Sequence, residues 1–427
     1  MRILYSLAWW LLLPFALFRL WWRGKKEPGY RRHIAERLGV YPSSPVSAGC
    51  IWVHAVSVGE TRAAEPLVEA LLAAYPDRNV LLTCMTPTGR ATGQELFGNN
   101  PRVMQAYLPY DTGFMMRRLI SRFQPGICIL METEVWPNLI AQCRASRIPV
   151  ALVNARLSER SLKKGKRLPS LIQEAADGIS CVAAQTETDA KRLREFGSRH
   201  VTVAGSVKFD ATPTEEMIEK GRRLRACIGE RPVLMCASTR DGEENPILDA
   251  LSDLSPPETL LLMVPRHPQR FDAVAEMITA RKLSMIRRSE LGTDLASALP
   301  LPRDTRVLLG DSMGEMFAYY AASDVAFIGG SLEPLGGQNL IEACALGVPV
   351  IIGPHTFNFE AITEDAVLEG AAVRIHSATD LMREAGRLLS NDETRRIMGE
   401  KAQQFARRQR GATERTLEIL KPFLDDH

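Results

Sequence analysis

Residues 50–60 read "CIWVHAVSVGE", an apolar run that carries through to His54 and is followed almost at once by Ser57, Gly59 and the carboxylate of Glu60. A short, continuously apolar run bounded by small residues is the pattern of a strand buried on both faces, as in a parallel sheet. Gly59 would let the backbone turn sharply out of that strand, which places Glu60 in the first turn of the next helix, at the mouth of the sheet. A carboxylate there also interacts favourably with the helix dipole, so a helix-start acid and a group held out for chemistry are both open readings.

The same unit recurs along the chain. Apolar runs at 50–57, 79–86, 127–133, 149–155, 178–185 and 200–206 alternate with helical patterns, which predicts parallel βαβ units. The polar stretch "KFDATPTEEMIEKGRRLRACIGERP" then interrupts, and a second series runs through "VLMCAST" (233–239), "TLLLMVPRH", "TRVLLGD", "SDVAFIGG" and "VPVIIGP". From Ser377 onward the pattern is helical and polar with no further strand. Two doubly wound α/β domains joined near 210–230 account for this order.

Length and composition agree. The chain has 427 residues, 45% hydrophobic and 24% charged, enough for two cores of ordinary domain size. A net charge of only +3 argues against nucleic-acid binding, which needs a broad basic field. The eight cysteines form no CxxC pair and sit mostly in strand-like runs, so they are expected to be reduced core residues. The N-terminus differs from the rest: "ILYSLAWWLLLPFALF" (3–18) is uncharged, and Leu20, Trp21 and Trp22 extend it into the cations Arg23, Lys25, Lys26, Arg31 and Arg32. This suits a membrane anchor, spanning or lying flat, with the following domain on the cytoplasmic side.

The absence of GxGxxG after any strand and of GxxxxGK[ST] disfavours a dehydrogenase or an NTPase. No HExxH or close His/Asp cluster indicates a catalytic metal. Charged residues collect instead at the carboxyl ends of strands. In the first half, "CILMETEVWPN" delivers Glu132 and Glu134, "VAGSVKFD" delivers Lys208, and "TCMTPTGR" offers Thr86, Thr88 and Gly89 as an anion cradle or a plain loop. In the second half, "VPRHPQRF" supplies Arg266 and His267, "GDSMGEMF" places Ser312 and Gly314 at a helix start, and "GGS" (329–331) follows another strand. Such donors suit phosphate. "GGQNLIEA" sets Asn339 and Glu342 three apart on one helix face, a carboxylate suited to ribose hydroxyls.

Taken in order, "HAVSVGET", "MTPTG", "YLPYD", "METEVWPN", "NARLSERS", "GSVKFD", "VPRHPQRF", "GDSMGE", "FIGGSL", "GGQNLIEA" and "GPHTFNF" resemble the 3-deoxy-D-manno-octulosonic acid (Kdo) transferases of lipopolysaccharide synthesis. The resemblance implies a GT-B fold, two Rossmann-like doubly wound domains facing a cleft, with an anchor at 1–22, an acceptor domain at 23–212 and a donor domain at 213–427. It implies transfer of Kdo from CMP-Kdo to a tetraacylated lipid A precursor (lipid IVA) at the cytoplasmic side of the cell inner membrane, with no metal, no other cofactor and no nucleic-acid partner. Glu60 would be the general base, with Glu132 and Lys208 stabilising the transition state. Pro265, Arg266, the Met313, Gly314 and Glu315 turn, Asn339 and Glu342 would hold the CMP. A nucleotide-sugar epimerase of the same fold would lack the anchor, and a non-catalytic nucleotide or lipid sensor would lack Glu60.

Overall fold

The computed structural model describes residues 1–25, 27–42, 48–165, 169–210, 212–292, 295 and 299–425, so Lys26 of the basic cluster lies outside the described residues. The first sheet contains β1 (Ile51–His54), β2 (Val80–Cys84), β3 (Val103–Tyr107), β4 (Ile127–Met131), β5 (Val150–Ala155), β6 (Cys181–Ala184) and β7 (Val201–Val203), in the order β3-β2-β1-β4-β5-β6-β7. The second contains β8 (Val233–Thr239), β9 (Leu260–Pro265), β10 (Met285–Arg287), β11 (Val307–Leu309), β12 (Val325–Ile328), β13 (Val350–Ile352) and β14 (Ala372–Arg374), in the order β10-β11-β9-β8-β12-β13-β14. Every pairing is parallel. The eleven runs read as strands are all strands. β3, β10 and β14 were not expected; each is short and partly exposed, and Gln105 in β3 and Arg287 and Arg374 at the ends of the others break the apolar signal.

Alternation along each strand sorts side chains between the two faces. Ile51, Val53, Val80, Leu82, Ile127 and Ile129 join one core, while Trp52, Leu81, Cys128 and Leu130 join the other. Each such side chain, when fully buried, contributes about 1.5–3 kcal/mol. All eight cysteines are buried and unbonded, as expected of core residues.

The chain divides into two compact units, Met1–Asp210 with Gln409–His427, and Ala211–Arg408. The last helix, Ala412–Asp425, therefore belongs to the first unit, whereas the sequence reading left it with the second domain at 213–427. The reason is packing: Ala412, Leu420 and Leu424 complete the core formed by Ile51, Val53 and the helix Val58–Ala74. Asp210 fixes the return, since its carboxylate accepts from the backbone N–H of Gly411 at 2.7 Å, of Ala412 at 3.3 Å and of Thr413, acting as a cap from a distant part of the chain.

The N-terminal helix, Arg2–Arg23, is 22 residues long and runs through Pro14. Its inner face lies along the first unit. Tyr5 donates to Asp111 Oδ2 at 2.9 Å, Ser6 to Asn138 Oδ1 at 3.0 Å, Trp9 packs on Tyr110 with ring centres 5.7 Å apart, and Leu13, Leu17 and Leu20 join Tyr30, Leu38 and Met115. Asp111 is fully buried and also accepts from the first-turn amides of the helix Pro137–Ala145, Asn138 at 3.0 Å and Leu139 at 2.8 Å. The outer face is left bare: Leu11 is 81% and Phe15 65% exposed.

The capping role of Asp210 has a local readout. Asp210→Ala should weaken the helix Ala412–Asp425 by about 1–2 kcal/mol. Its amides should exchange with deuterium roughly tenfold faster, with β8 and β9 unchanged. Uniform exchange across both units would show the contact to be dispensable.

Candidate functional site

In an open parallel sheet the carboxyl edge is uncovered where the strand order reverses. In the first unit that point lies between β1 and β4, the two strands followed by "HAVSVGE" and "METE". Glu60 is in the first turn of Val58–Ala74, as expected. Gly59, however, does not make the turn out of β1. It is helical with an ordinary φ, and the chain turns through extended Ser57 instead. A Cβ at Gly59 would meet nothing within 4 Å, so the position faces open space.

The Glu60 carboxylate folds back to accept from the Val56 N–H, so it is the helix-start acid of the first reading. It is also chemically poised. Burial, then the negative charges of Glu134 and Glu132, push its carboxyl up to about 7, against the lowering effect of the Val56 and Ser57 amides. Burial and Glu132 raise Glu134 as well.

Glu132 has a left-handed backbone, φ 59°, and its N–H donates to Val153 O at 2.9 Å. Left-handed geometry in a non-glycine residue costs energy and recurs at functional sites. Its carboxylate meets Lys208 Nζ at 2.6 Å, the lysine being one-third exposed (33%). Lys208 follows β7 on a short 3₁₀ turn, Val207–Phe209, which is tied to the end of β5: Ser206 Oγ and Val207 N each donate to Asn154 Oδ1 at 3.3 Å. Asn154, also left-handed at φ 51°, was not singled out in the sequence. Neither was His54, fully buried with Nδ1 3.1 Å from the Thr83 carbonyl; burial lowers its pKa to about 3 and keeps it neutral. The "MTPTG" segment is a helix start, Thr86 capping Pro87–Phe97 by accepting from Gly89 N at 3.0 Å, which takes up the amide an anion would have used.

In the second unit Pro265 ends β9 and Arg266 follows it, exposed, with its N–H donating to Thr239 O at 2.9 Å. Burial raises the Glu342 carboxyl, while the hydrogen bond from Asn339 (Nδ2 to Oε1, 3.2 Å) and the charge of Arg266 oppose the rise. Asn339 is not on the helix face with Glu342, as the spacing suggested. The helix is Ile341–Ala345, and Asn339 stands before it, accepting from Ile341 N at 3.1 Å. Met313 and Gly314 are exposed, Gly314 at φ 79°. The Glu315 side chain turns inward to Lys220 at 2.7 Å and Arg288 at 3.1 Å; burial would raise its carboxyl, but Lys220, Ser312 and Arg288 together hold it below the usual range.

The "GGS" turn differs from expectation. Its amides are already taken by the buried carboxylate of Glu243, which accepts from Gly330 at 2.7 Å, Ser331 at 3.0 Å and Leu332 at 2.9 Å. An internal anion thus occupies the donors that a phosphate would need.

Two Rossmann-like domains of parallel sheet, with carboxylates at the reversal of one and cations at strand ends of the other, have the architecture of the GT-B fold, which glycosyltransferases and nucleotide-sugar epimerases share. Likeness to solved structures supports the fold: a glycosyltransferase from Rickettsia africae (TM-score 0.60, 16% identity, covering 89% of this chain and 100% of that one) and a UDP-GlcNAc 2-epimerase from Neisseria meningitidis bound to UDP-GlcNAc (TM-score 0.59, 15% identity, 88% and 100%). Residues 291–405 match the family described as glycosyl transferases group 1, and residues 32–211 match 3-deoxy-D-manno-octulosonic-acid transferase (kdotransferase). The chain is 44% identical to the 3-deoxy-D-manno-octulosonic acid transferase of Bordetella pertussis over 99% of both chains, and 40% identical to that of Haemophilus influenzae over 94% of this chain and 93% of the other. The chain belongs to the Kdo transferase family and is a Kdo transferase.

The raised Glu60 carboxyl has a consequence for stability. Folding lifts its pKa from the ordinary 4.5 to about 7, so the folded state favours the proton, and ionising Glu60 removes stability as pH rises through that interval. Glu60→Gln cannot ionise. Relative to wild type it should gain on the order of 2 kcal/mol between pH 4.5 and pH 8, measured by urea unfolding. A pH-independent difference would mean that the carboxyl titrates normally.

Proposed function

We propose that this Kdo transferase moves Kdo from CMP-Kdo to a tetraacylated lipid A precursor (lipid IVA) at the cytoplasmic face of the inner membrane, without a metal, and that Glu60 is the general base. The observation that carries the reading is a carboxyl held near neutral pKa at the β1–β4 reversal, in the range where a base is ionised yet still able to take a proton. In the reaction, an acceptor hydroxyl oxygen bonds to the anomeric carbon of Kdo. The bond from that carbon to the phosphate oxygen breaks, its electron pair leaves with CMP, and the hydroxyl proton passes to Glu60. Nothing is oxidised or reduced, so no redox cofactor is called for.

The two units divide this labour by charge. Lys208, held by Glu132 at 2.6 Å, offers positive charge where the transition state gathers negative charge. Glu132 in turn suits the cationic character of an oxocarbenium-like sugar. In the second unit Arg266 faces the phosphate, the backbone of Met313, Gly314 and Glu315 offers N–H groups, Pro265 gives an apolar contact, and Asn339 with Glu342 takes the ribose hydroxyls. A guanidinium offers a phosphate fixed positive charge and paired N–H donors, so it can neutralise the leaving group without a metal ion.

The N-terminal helix fits an in-plane membrane anchor. Its inner face is occupied by the first unit along most of its length, and its outer face exposes Ile3, Leu7, Leu11, Phe15 and Phe18. The cations at and just past its end are braced on aromatic rings, Arg23 over Tyr30 at 4.4 Å and Arg31 over Trp21 at 5.1 Å, the pairing favoured at a lipid headgroup boundary.

The test of the chemistry is transfer from CMP-Kdo to the lipid A precursor, with product mass as readout. Glu60→Gln should lower the rate by roughly 100-fold or more with unchanged CMP affinity. Wild type should keep its rate in excess chelator. Near-normal transfer by Glu60→Gln would shift the base to Glu132 or Glu134, and a need for added magnesium would overturn the metal-free reading.

For the membrane reading, Leu11→Glu with Phe15→Glu should abolish co-sedimentation with phosphatidylethanolamine–phosphatidylglycerol vesicles, since about 1.5–3 kcal/mol is lost at each side chain. Retained sedimentation would place the attachment elsewhere.

A further inference from the structure

Basic side chains gather at the carboxyl ends of β8 and β9: Arg240 follows the first strand, Arg266 and His267 follow the second, and Arg270 lies just beyond. Arg270 is neutralised, with Asp241 at 2.8 Å and Glu244 at 3.0 Å. Arg240 and Arg266 take part in no salt bridge among the described residues. Their backbones are nonetheless neighbours, since Thr239 pairs with Pro265 in the ladder and Arg266 N donates to Thr239 O at 2.9 Å. Two guanidinium-bearing residues thus leave adjacent strands side by side, and among the described residues no carboxylate forms a salt bridge with either, although the charge of Arg266 acts on Glu342.

The position of Arg240 is built rather than incidental. The β8–β9 ladder shifts register between Ala237 and Thr239, and Ser238 is left-handed at φ 55°, a bulge that re-aims the strand end. The loop after β12 is pressed against this bulge so closely that a Cβ on Gly329 would lie 2.6 Å from Ser238 O. Arg240 N donates at 2.8 Å to Glu243, the same buried carboxylate that holds the amides of that loop. The main chain of Arg240 is fixed on each side, and the stem of its side chain passes Gly330, where an added Cβ would lie 3.5 Å from Cγ. A strained, tightly held backbone that presents an unpaired cation beside another cation is an arrangement an anion would stabilise.

We propose that Arg240 is a second phosphate-binding residue, acting with Arg266 as a pair of guanidiniums on the phosphate of the nucleotide-activated sugar. This rests on the donor-site reading that puts Arg266 on phosphate, and it adds a residue which that reading does not contain. Arg240 also gives the departing phosphate a second positive partner as negative charge builds on it.

The test compares CMP with cytidine, which lacks the phosphate, by calorimetry or ligand-observed NMR on the full chain, using Arg240→Gln, Arg240→Lys and Arg266→Ala. Arg240→Gln should weaken CMP binding roughly 10- to 100-fold, the range for one charge-assisted hydrogen-bonding group, and leave cytidine binding unchanged. Arg240→Lys should fall between, and CMP affinity should become less sensitive to added salt in the Gln variant. Unchanged CMP affinity in Arg240→Gln alongside a loss in Arg266→Ala would overturn the role of Arg240 and leave the donor site standing. Unchanged affinity in both would overturn the donor-site reading and this inference with it. An equal loss for CMP and cytidine would make Arg240 a structural residue and reject the proposal.

Discussion

The feature on which the rest depends is the reversal of strand order in each sheet, β1 beside β4 and β8 beside β12. Parallel strands need a crossover on one face or the other, and growing the sheet outward in both directions sends the crossovers after the two central strands to opposite faces. Their carboxyl ends are then the one place along the edge where two loops diverge and leave open ground. The burial of both faces dictates everything up to that point and nothing beyond it. The residues proposed to carry the chemistry sit just past the buried runs: Glu60 after β1, Glu132 and Glu134 after β4, Arg240 after β8.

Two carboxylates at these openings show how surroundings decide a role. Glu243 is fully buried, yet it accepts from the amides of Arg240, Gly330, Ser331 and Leu332, and hydrogen bonds to a charged group contribute about 1.5–3 kcal/mol each. It works as a structural anion and braces two loops. Glu60 also receives amide hydrogen bonds, but burial and two neighbouring carboxylates outweigh them. Its ionised form is left uncomfortable, which suits the proposed role of proton acceptor, and the first unit gives up stability there.

Much of this was legible in the chain. Continuous apolar runs marked every central strand, and the charged residues just past them marked Glu60, Glu132, Lys208 and Arg266, because the edge of a parallel sheet is a fixed distance from its core. Short edge strands such as β10 escaped, since "MIR" buries too little to stand out from a loop. The "GGS" turn misled for a different reason. Its glycines signal free amides, and only the fold reveals that Glu243, some ninety positions earlier, already fills them. Gly59 misled similarly, since a glycine that makes a turn and a glycine with ordinary helical geometry look the same in a sequence. The placement of the final helix rests on Asp210 and on a core shared across half the chain, a non-local fact that no local pattern encodes.

Asp111 links parts of the first unit that the sequence keeps far apart. Its carboxylate receives Tyr5 from the N-terminal helix and the first amides of Pro137–Ala145, the helix that opens directly after Glu132 and Glu134. On the proposed membrane reading, the acidic loop would be carried at a set height above the N-terminal helix, whatever depth that helix took in a leaflet. A lipid acceptor would then need no extraction from the bilayer. It would arrive by sliding in two dimensions, and the buried joint would set how far from its acyl chains a sugar hydroxyl must reach to meet the proposed base.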